Sequence, residues 1–172
     1  MTIRNLDRLF APRSVAVFGA SDRAHSVGAT VWHNLSRGFQ GTLYPVNPRL
    51  RQLGDVPAWP SVAALPAAPD LAVICTPPAT EPGLIAELGA KGTRAAVVVT
   101  AGLDARQKQA MLDAARTHTL RILGPNCIGM LVPHLGLNAS FAHADAAPGS
   151  IAFVSQSGAL VTAMLDWANS RQ

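Results

Sequence analysis

Short apolar runs alternate along the chain with longer stretches in which apolar residues recur at helical spacing. Each run is bounded by glycine, proline or polar residues, as is typical of strands buried on both faces of a sheet. The pattern therefore predicts five strands. They lie at residues 14–18, 42–46, 70–75, 95–99 and 120–123.

Helices are predicted between these strands. Val27, Val31 and Leu35 recur every four positions and so lie on one helical face. Ser61 is a favourable N-cap for one stretch, and another stretch has an acidic start at Asp104 and a histidine near its end, as the helix dipole favours. The predicted helices cover residues 27–38, 61–65, 80–90 and 104–118, and residues 47–60 are predicted to form a loop.

This alternation predicts a Rossmann-like α/β fold. Buried strands that alternate with helices form a doubly wound parallel sheet with right-handed crossovers and helices on both faces. Ligands of such sheets bind at the carboxyl ends of the strands, near the point where the strand order reverses. The loops that follow the strands are therefore the candidate site.

The pattern changes after Cys127. Residues 128–149 are predicted to be an irregular connection, followed by a strand at 151–154 and a helix at 159–170. One strand and one helix cannot bury their own apolar faces. We expect a Rossmann-like domain over residues 1–128, and over 129–172 the truncated start of a second, flavodoxin-like α/β domain.

Composition narrows the function classes. Hydrophobic residues make up 49% of the chain and charged residues 14%, which favours a packed core over disorder. The net charge of +4 comes from scattered arginines and lysines, a pattern that argues against a nucleic-acid surface but suits an anionic small ligand. The histidines show no metal-ligand spacing.

The two cysteines and the N-terminal sequence bear on location. Cys75 lies in an apolar run, and Cys75 and Cys127 do not form a disulfide framework, which favours a reducing compartment. No apolar signal segment follows the N-terminus, and no apolar run is long enough to span a bilayer. We expect a soluble, cytoplasmic protein without a membrane partner.

The loop after the first predicted strand carries the candidate phosphate site. A glycine there allows a tight turn and lets backbone N–H groups approach phosphate oxygens at a helix N-terminus. The spacing is not the G-x-G-x-x-G of typical NAD sites, because Ser21 occupies the second glycine position. The candidate residues of this loop are Gly19, Ala20, Ser21, Asp22, Val27 and Gly28.

The end of the second predicted strand distinguishes between cofactors. NAD sites usually place an acidic residue there to bind a ribose hydroxyl, but this chain has Asn47, Pro48, Arg49 and Arg51. An arginine suits a phosphate on the ribose, as in coenzyme A or NADP. An NADP-binding oxidoreductase or redox sensor is the alternative that these residues leave open.

Together these segments resemble a known family. Residues 14–21 (SVAVFGAS), 44–48 (YPVNP), 123–127 (LGPNC) and 155–158 (SQSG) occur in the order found in the CoA-binding domain of NDP-forming acyl-CoA synthetases, relatives of the succinyl-CoA synthetase α subunit. The resemblance covers nearly the whole chain and implies a CoA or acyl-CoA cofactor.

The resemblance also implies roles for individual residues. Gly19 to Asp22 would hold the nucleotide phosphates, and the thioester end would lie near Asn126 and Cys127. Cys127 is interpreted as a packed thiol rather than a nucleophile. The residues along the cofactor would be Asn47, Pro48, Arg49, Thr76, Pro77, Pro78, Thr100 and Ala101. Ser155, Ser157 and Gly158 would open a helix that faces a phosphorylated histidine, which this chain lacks.

The parent enzyme would be one of two kinds. One is an ADP-forming acetate–CoA ligase, and the other is a protein acetyltransferase fused to a ligase-like region. By itself the chain is expected to bind CoA and to catalyse nothing, with the remaining domains or a subunit of the parent as its partner. A free-standing CoA-binding regulator is disfavoured, because it need not carry the strand and helix after residue 150.

Overall fold

A five-stranded parallel sheet forms the centre of the computed structural model, which describes residues 3–171. The strands are β1 (Ser14–Phe18), β2 (Thr42–Val46), β5 (Leu71–Ile74), β6 (Ala95–Val98) and β7 (Arg121–Leu123). Their order in the sheet is β2-β1-β5-β6-β7, so the order reverses between β1 and β5. This arrangement confirms the predicted Rossmann-like fold.

Helices cover both faces of the sheet. They are α1 (Leu6–Phe10), α2 (Val27–Gly38), α3 (Glu81–Lys91) and α4 (Ala105–Thr117), and a fifth helix, α5 (Gly158–Asn169), comes near the end of the chain. Successive side chains of a strand point to opposite faces, and along β1 Val15 and Val17 join the core under α2, while Ala16 and Phe18 join the core under α3 and α4. Both layers are therefore apolar, which explains why the strands are apolar throughout.

The helix ends follow from local sequence. Ser26 accepts a hydrogen bond from the Ala29 N–H and caps α2, and Asp104 and Gln107 form a reciprocal capping box at α4. Gly92 ends α3 with a φ of 116°, a conformation that glycine adopts without steric cost.

The segment at residues 128–149 is predicted to be an irregular connection, but its first part, residues 129–140, is regular instead. It forms an antiparallel hairpin of β8 (Gly129–Val132) and β9 (Leu137–Ser140), connected by a short 3₁₀ turn. The buried Asn34 of α2 donates through its Nδ2 to the backbone oxygens of Ser140 and Ala142, at 2.9 Å each. The hairpin therefore belongs to the packed body of the protein.

Three smaller predictions are also wrong. Residues 61–65 form turns and not a helix, and residues 47–60 contain the short hairpin of β3 (Gln52–Leu53) and β4 (Val56–Pro57). Residues 151–154 form no strand, since no strand among residues 3–171 pairs with them.

Helix α5 forms as expected and is held by polar contacts. Ser157 accepts from the Leu160 N–H and caps its first turn. His143 Nε2 lies 2.6 Å from the Asp166 carboxylate, and Asn169 donates to the Asp145 backbone oxygen. Across residues 3–171, none of the helices has the length and apolar character needed to cross a bilayer.

Candidate functional site

The loop between β1 and α2 is shaped by two glycines. Gly19 has a φ of 83°, and a Cβ built there would lie 2.8 Å from the Cys75 backbone oxygen. A Cβ on Gly28 would lie 1.9 Å from the Gly19 oxygen, so α2 begins in direct backbone contact with the loop. Gly19 thus serves the tight turn and Gly28 the close packing of helix on strand, the roles that glycines have in dinucleotide-binding loops.

This loop leaves backbone donors available. Ser21 Oγ accepts from the Arg23 N–H at 3.0 Å, and Ser26 takes the Ala29 and Thr30 N–H groups. Within the described residues, the N–H groups of Ser21, Asp22, Val27 and Gly28 have no acceptor. Free amides at the start of a helix form an anion-binding site.

The end of β2 is fixed against the same loop. Asn47 Nδ2 donates to the Ala20 backbone oxygen at 2.8 Å, and Asn47 Oδ1 accepts from the Arg49 N–H at 2.9 Å. Pro48 and Arg49 follow on the exposed surface. No ion pair or hydrogen bond within residues 3–171 engages the guanidinium groups of Arg49 and Arg51. Arg49, which is bonded through its N–H to Asn47, therefore lies near the loop as a cation without a protein partner.

A cleft of about 520 Å³ opens at the carboxyl ends of β5, β6 and β7. It brings together seven of the predicted residues: Val27, Thr76, Thr100, Ala101, Asn126, Cys127 and Gly158. Val27 begins α2, so the cleft adjoins the free amides of the loop. The remaining lining residues are Cys75, Val99, Ile128, Phe141, Ala159 and Thr162.

The other predicted residues lie outside this cleft. Pro77 and Pro78 lead into a 3₁₀ turn before α3, and so they serve the turn. Ser155 Oγ accepts from the Ser157 N–H, and Ser157 caps α5, so both serines shape the turn at the helix start. Gly19, Ala20, Ser21, Asp22, Gly28, Asn47, Pro48 and Arg49 form the adjoining loop and the end of β2.

Hydrogen bonds hold the cleft walls at a fixed separation. The Thr100 backbone oxygen accepts from the Asn126 N–H at 2.9 Å, and Thr100 Oγ1 lies 2.8 Å from the Thr76 backbone oxygen. Asn126 has a φ of 57° and an exposed side chain whose carboxamide has no partner among the described residues. It is the free polar group of the cleft.

Both thiols of the chain line this cleft as uncharged groups. Burial, with contributions from Glu81 and Cys127, raises the pKa of Cys75 to about 12. Burial also raises the pKa of Cys127, whose Sγ lies 3.4 Å from the Val98 backbone oxygen. Because the thiolate is the nucleophilic form, a raised pKa favours a packed thiol over a nucleophile at both positions.

Glu81 was not predicted from the sequence as part of the site. It is the first residue of α3, it is fully buried, and its Oε1 lies 2.7 Å from Thr100 Oγ1 and 3.3 Å from Thr76 Oγ1. Its Oε2 has no hydrogen-bond partner among the described residues.

Two opposing effects act on the pKa of this carboxyl group. The N-terminus of α3 stabilises a carboxylate by ~1 kcal/mol, whereas removing an unpaired carboxylate from water costs several kcal/mol. Burial therefore raises the pKa of Glu81, and its side-chain contacts with Thr100 and Thr76 lower it less. Within residues 3–171, no three side chains of the His, Cys, Asp and Glu types are grouped to hold a metal ion.

Comparison with known proteins agrees with this geometry. Residues 13–133 match the CoA binding domain family. The chain is 39% identical to the acetate–CoA ligase (ADP-forming) I of Archaeoglobus fulgidus over 95% of its own length, and 38% identical to the subunit alpha of acetate–CoA ligase (ADP-forming) II of Pyrococcus furiosus over 90%. It spans 24% and 35% of the length of these two relatives.

A solved structure gives the same result. The dinucleotide-forming acetyl-coenzyme A synthetase 1 of Candidatus Korarchaeum cryptofilum, in complex with phosphate and ADP, superposes with a TM-score of 0.89 at 37% identity. That superposition covers 94% of this chain and 36% of the synthetase chain. With this fold, these glycines and this match, the chain belongs to the CoA-binding domain family.

Proposed function

We propose that the chain is the CoA-binding module of an ADP-forming acyl-CoA ligase. The proposal rests on one observation: Val27, Asn126 and Cys127 line a single cleft. Val27 lies beside the free amides of the loop, so the cleft runs from these amides to Asn126 and Cys127. A long ligand with phosphates at one end and a thiol at the other fits a site that has anion-binding amides and an apolar channel.

The nucleotide phosphates bind at the loop. The free N–H groups of Ser21, Asp22, Val27 and Gly28 supply donors, and the start of α2 supplies a partial positive charge. The exposed guanidinium of Arg49 follows Asn47, which is bonded to the same loop, and suits a phosphate on the ribose. This part of the site suits CoA and NADP alike.

The pantetheine arm and the thioester end occupy the cleft. Thr76, Val99, Thr100 and Ala101 line its walls, which favours an extended and mostly apolar chain. The unpaired Asn126 carboxamide can bond an amide or thioester oxygen of the ligand. NADP would place a polar nicotinamide riboside in this channel, whereas the lining suits the flexible and mostly apolar pantetheine arm, and the channel is therefore the feature that favours CoA.

The N-terminus of α5 faces the same space. Gly158 and Ala159 line the cleft, and their N–H groups have no acceptor among the described residues, because Ser157 caps the next two positions. Such a helix start stabilises negative charge that develops on a carbonyl oxygen or a phosphate. Cys127, near which the thioester would lie, lines the same cleft.

The chain supplies binding and not catalysis. No histidine lines the cleft within residues 3–171, and both thiols there are uncharged. We favour a ligase parent over an acetyltransferase parent, because the relatives described above are named as acetate–CoA ligases. Residues 151–171 would then begin the second domain, which the rest of the ligase completes.

Isothermal titration of the 172-residue chain with CoA, acetyl-CoA, NADP and NAD tests the proposal. We expect CoA and acetyl-CoA to bind and NAD to show no measurable binding. We also expect no acyl transfer when acetyl-CoA, phosphate and ADP are mixed with the chain. Binding of NADP without binding of CoA would contradict the proposal and support a dehydrogenase or redox sensor.

A further inference from the structure

Glu81 is the fully buried ionisable residue that the proposed function leaves unexplained. Of the carboxyl groups in residues 3–171 it alone is buried, and no salt bridge of these residues includes it. Its contacts are with Thr76 and Thr100, the two residues at the ends of β5 and β6 that line the cleft. The group therefore lies directly behind the wall where the pantetheine arm is proposed to bind.

The hydrogen-bond geometry fixes where the protons lie. Thr100 Oγ1 is 2.8 Å from the Thr76 carbonyl oxygen, and Thr80 Oγ1 is 2.7 Å from the Pro77 carbonyl oxygen. A carbonyl oxygen only accepts, so each of these threonine hydroxyls gives its one proton to a carbonyl.

One proton is then still missing. Thr80 Oγ1 lies 2.9 Å from Thr76 Oγ1, and this contact uses the proton of the Thr76 hydroxyl. The 2.7 Å contact between Thr100 Oγ1 and Glu81 Oε1 still needs a donor. The carboxyl group of Glu81 is the group that can supply it.

We propose that Glu81 is a positioning residue of the CoA cleft, which as an uncharged carboxylic acid donates to Thr100 and so fixes the wall formed by Thr76, Thr100 and Asn126. The expected effect of Glu81 on CoA binding rests on the proposed function. Fixing Thr100 also fixes the position of Asn126, because the Thr100 backbone oxygen accepts from the Asn126 N–H.

Ionisation of Glu81 would reverse this pattern. A carboxylate cannot donate, so the Thr100 hydroxyl would turn to donate to it and release the Thr76 carbonyl. The titratable group that interacts electrostatically with Glu81 is Cys75, just after β5, and its thiol stays protonated at neutral pH. The residues of α3 and α4 in the same core, Ile85, Leu88, Met111 and Ala115, are apolar and supply no charge.

The test compares Glu81→Gln, Glu81→Leu and the control Glu87→Gln, which changes an exposed glutamate of the same helix. A glutamine amide donates as the neutral acid does, whereas leucine cannot. We expect Glu81→Gln to bind CoA within about twofold of the unmodified chain at pH 6, and Glu81→Leu to bind about tenfold more weakly.

The pH profile separates positioning from simple packing. As the pH rises from about 5 to 9, Glu81 ionises and can no longer donate to Thr100, whereas a glutamine at this position still can. We therefore expect the CoA affinity of the unmodified chain and of Glu87→Gln to fall relative to that of Glu81→Gln. Titration of the ligand affects all three proteins equally and cancels. Parallel profiles for Glu81→Gln and Glu87→Gln would overturn the proposal.

Two measurements without ligand decide the question independently of CoA binding. Infrared difference spectra at pH 6 should show a protonated carboxyl band that Glu81→Gln lacks, and the Asn126 amide should exchange faster in Glu81→Leu than in Glu81→Gln. An ionised Glu81, or equal exchange in the two variants, would overturn the inference. Failure of the unmodified chain to bind CoA, with both ligand-free results as expected, would instead overturn the proposed function.

Discussion

At Ser21, a negative charge can be introduced beside the proposed phosphate site with little disturbance to the folded protein. Its Oγ accepts from the Arg23 N–H, and an aspartate can accept the same bond. Ser21→Asp should therefore keep the loop folded but repel the nucleotide phosphates. We expect CoA affinity to fall about tenfold or more at low salt, measured by isothermal titration.

The matched control for this change is Ser36→Asp, the same substitution at an exposed position near the other end of α2. Its CoA affinity should stay within about twofold of the unmodified chain, because the added charge lies away from the loop. Equal affinities of the two variants would show that phosphates do not bind at the β1–α2 loop.

A second prediction concerns the reactivity of the Cys75 thiol, which depends on its protonation. With a pKa of about 12, roughly one thiol in ten thousand is ionised at pH 8, compared with about a quarter for an ordinary exposed thiol. We expect iodoacetamide to label Cys75 about a thousandfold more slowly in the folded chain than in urea, followed by mass spectrometry. Rapid labelling of the folded chain would mean that the thiol is not buried as described.

The sequence predicts a site residue well when the strand pattern alone determines its position, and poorly when tertiary packing determines it. Thr76, Thr100 and Asn126 each lie two or three residues after a strand, and parallel strands bring their carboxyl ends together, so their meeting in one cleft follows from the strand pattern. Glu81 looks in sequence like an ordinary acidic residue in a first helical turn, which usually faces solvent. Its burial depends on how α3 packs on the sheet, which no local pattern encodes.

Among the elements, α2 depends most on a single glycine. A Cβ on Gly28 would lie 1.9 Å from the Gly19 backbone oxygen, whereas a Cβ on Gly83 in α3 would meet no atom within 4 Å. We expect Gly28→Ala to lower the free energy of unfolding by ~1–3 kcal/mol and to weaken CoA binding, as α2 moves from the loop. Gly83→Ala should raise it by ~0.5 kcal/mol and leave binding unchanged.

Urea denaturation of both variants, with titration of CoA, measures these effects. The pair is informative because both changes are glycine to alanine within helices, so helix propensity alone predicts stabilisation in both. Stabilisation by Gly28→Ala would show that the close contact of loop and helix is not as the structure describes.

The same dependence on packing explains which elements the sequence predicts. The strands of the parallel sheet are buried on both faces and are visible as apolar runs, and capping residues such as Ser26 and Asp104 mark where helices begin. The hairpin of β8 and β9 carries no such signal. It packs on the core through residues such as Leu137, and the end of β9 accepts a hydrogen bond from Asn34, a residue more than a hundred positions earlier in the chain.

For the molecule as a whole, Glu81 couples stability to pH. Its pKa is raised in the folded state, so the folded chain holds a proton that the unfolded chain releases. The free energy of unfolding must then fall as pH rises from the ordinary carboxyl pKa of 4.5 through the raised value. Urea denaturation across this range should show the unmodified chain losing stability relative to Glu81→Gln, and a constant difference would contradict the assignment.

The segment at residues 151–154 carries exposed apolar side chains. Ile151 and Val154 are 92% and 93% exposed, so these apolar side chains touch almost nothing in the structure. In the proposed ligase, the missing strands of the second domain would bury them. If so, the double variant Ile151→Lys, Val154→Lys should keep the free energy of unfolding of this chain within ~0.5 kcal/mol, measured in urea.

Leu137 of β9 is the contrasting position, since it is 1% exposed within the packed body. Leu137→Ala should cost ~2–5 kcal/mol, because it removes buried methyl groups and leaves a cavity. A comparable loss in the double lysine variant would mean that residues 151–154 already stabilise the folded chain. The exposed apolar side chains would then be part of this domain and not the first strand of the next.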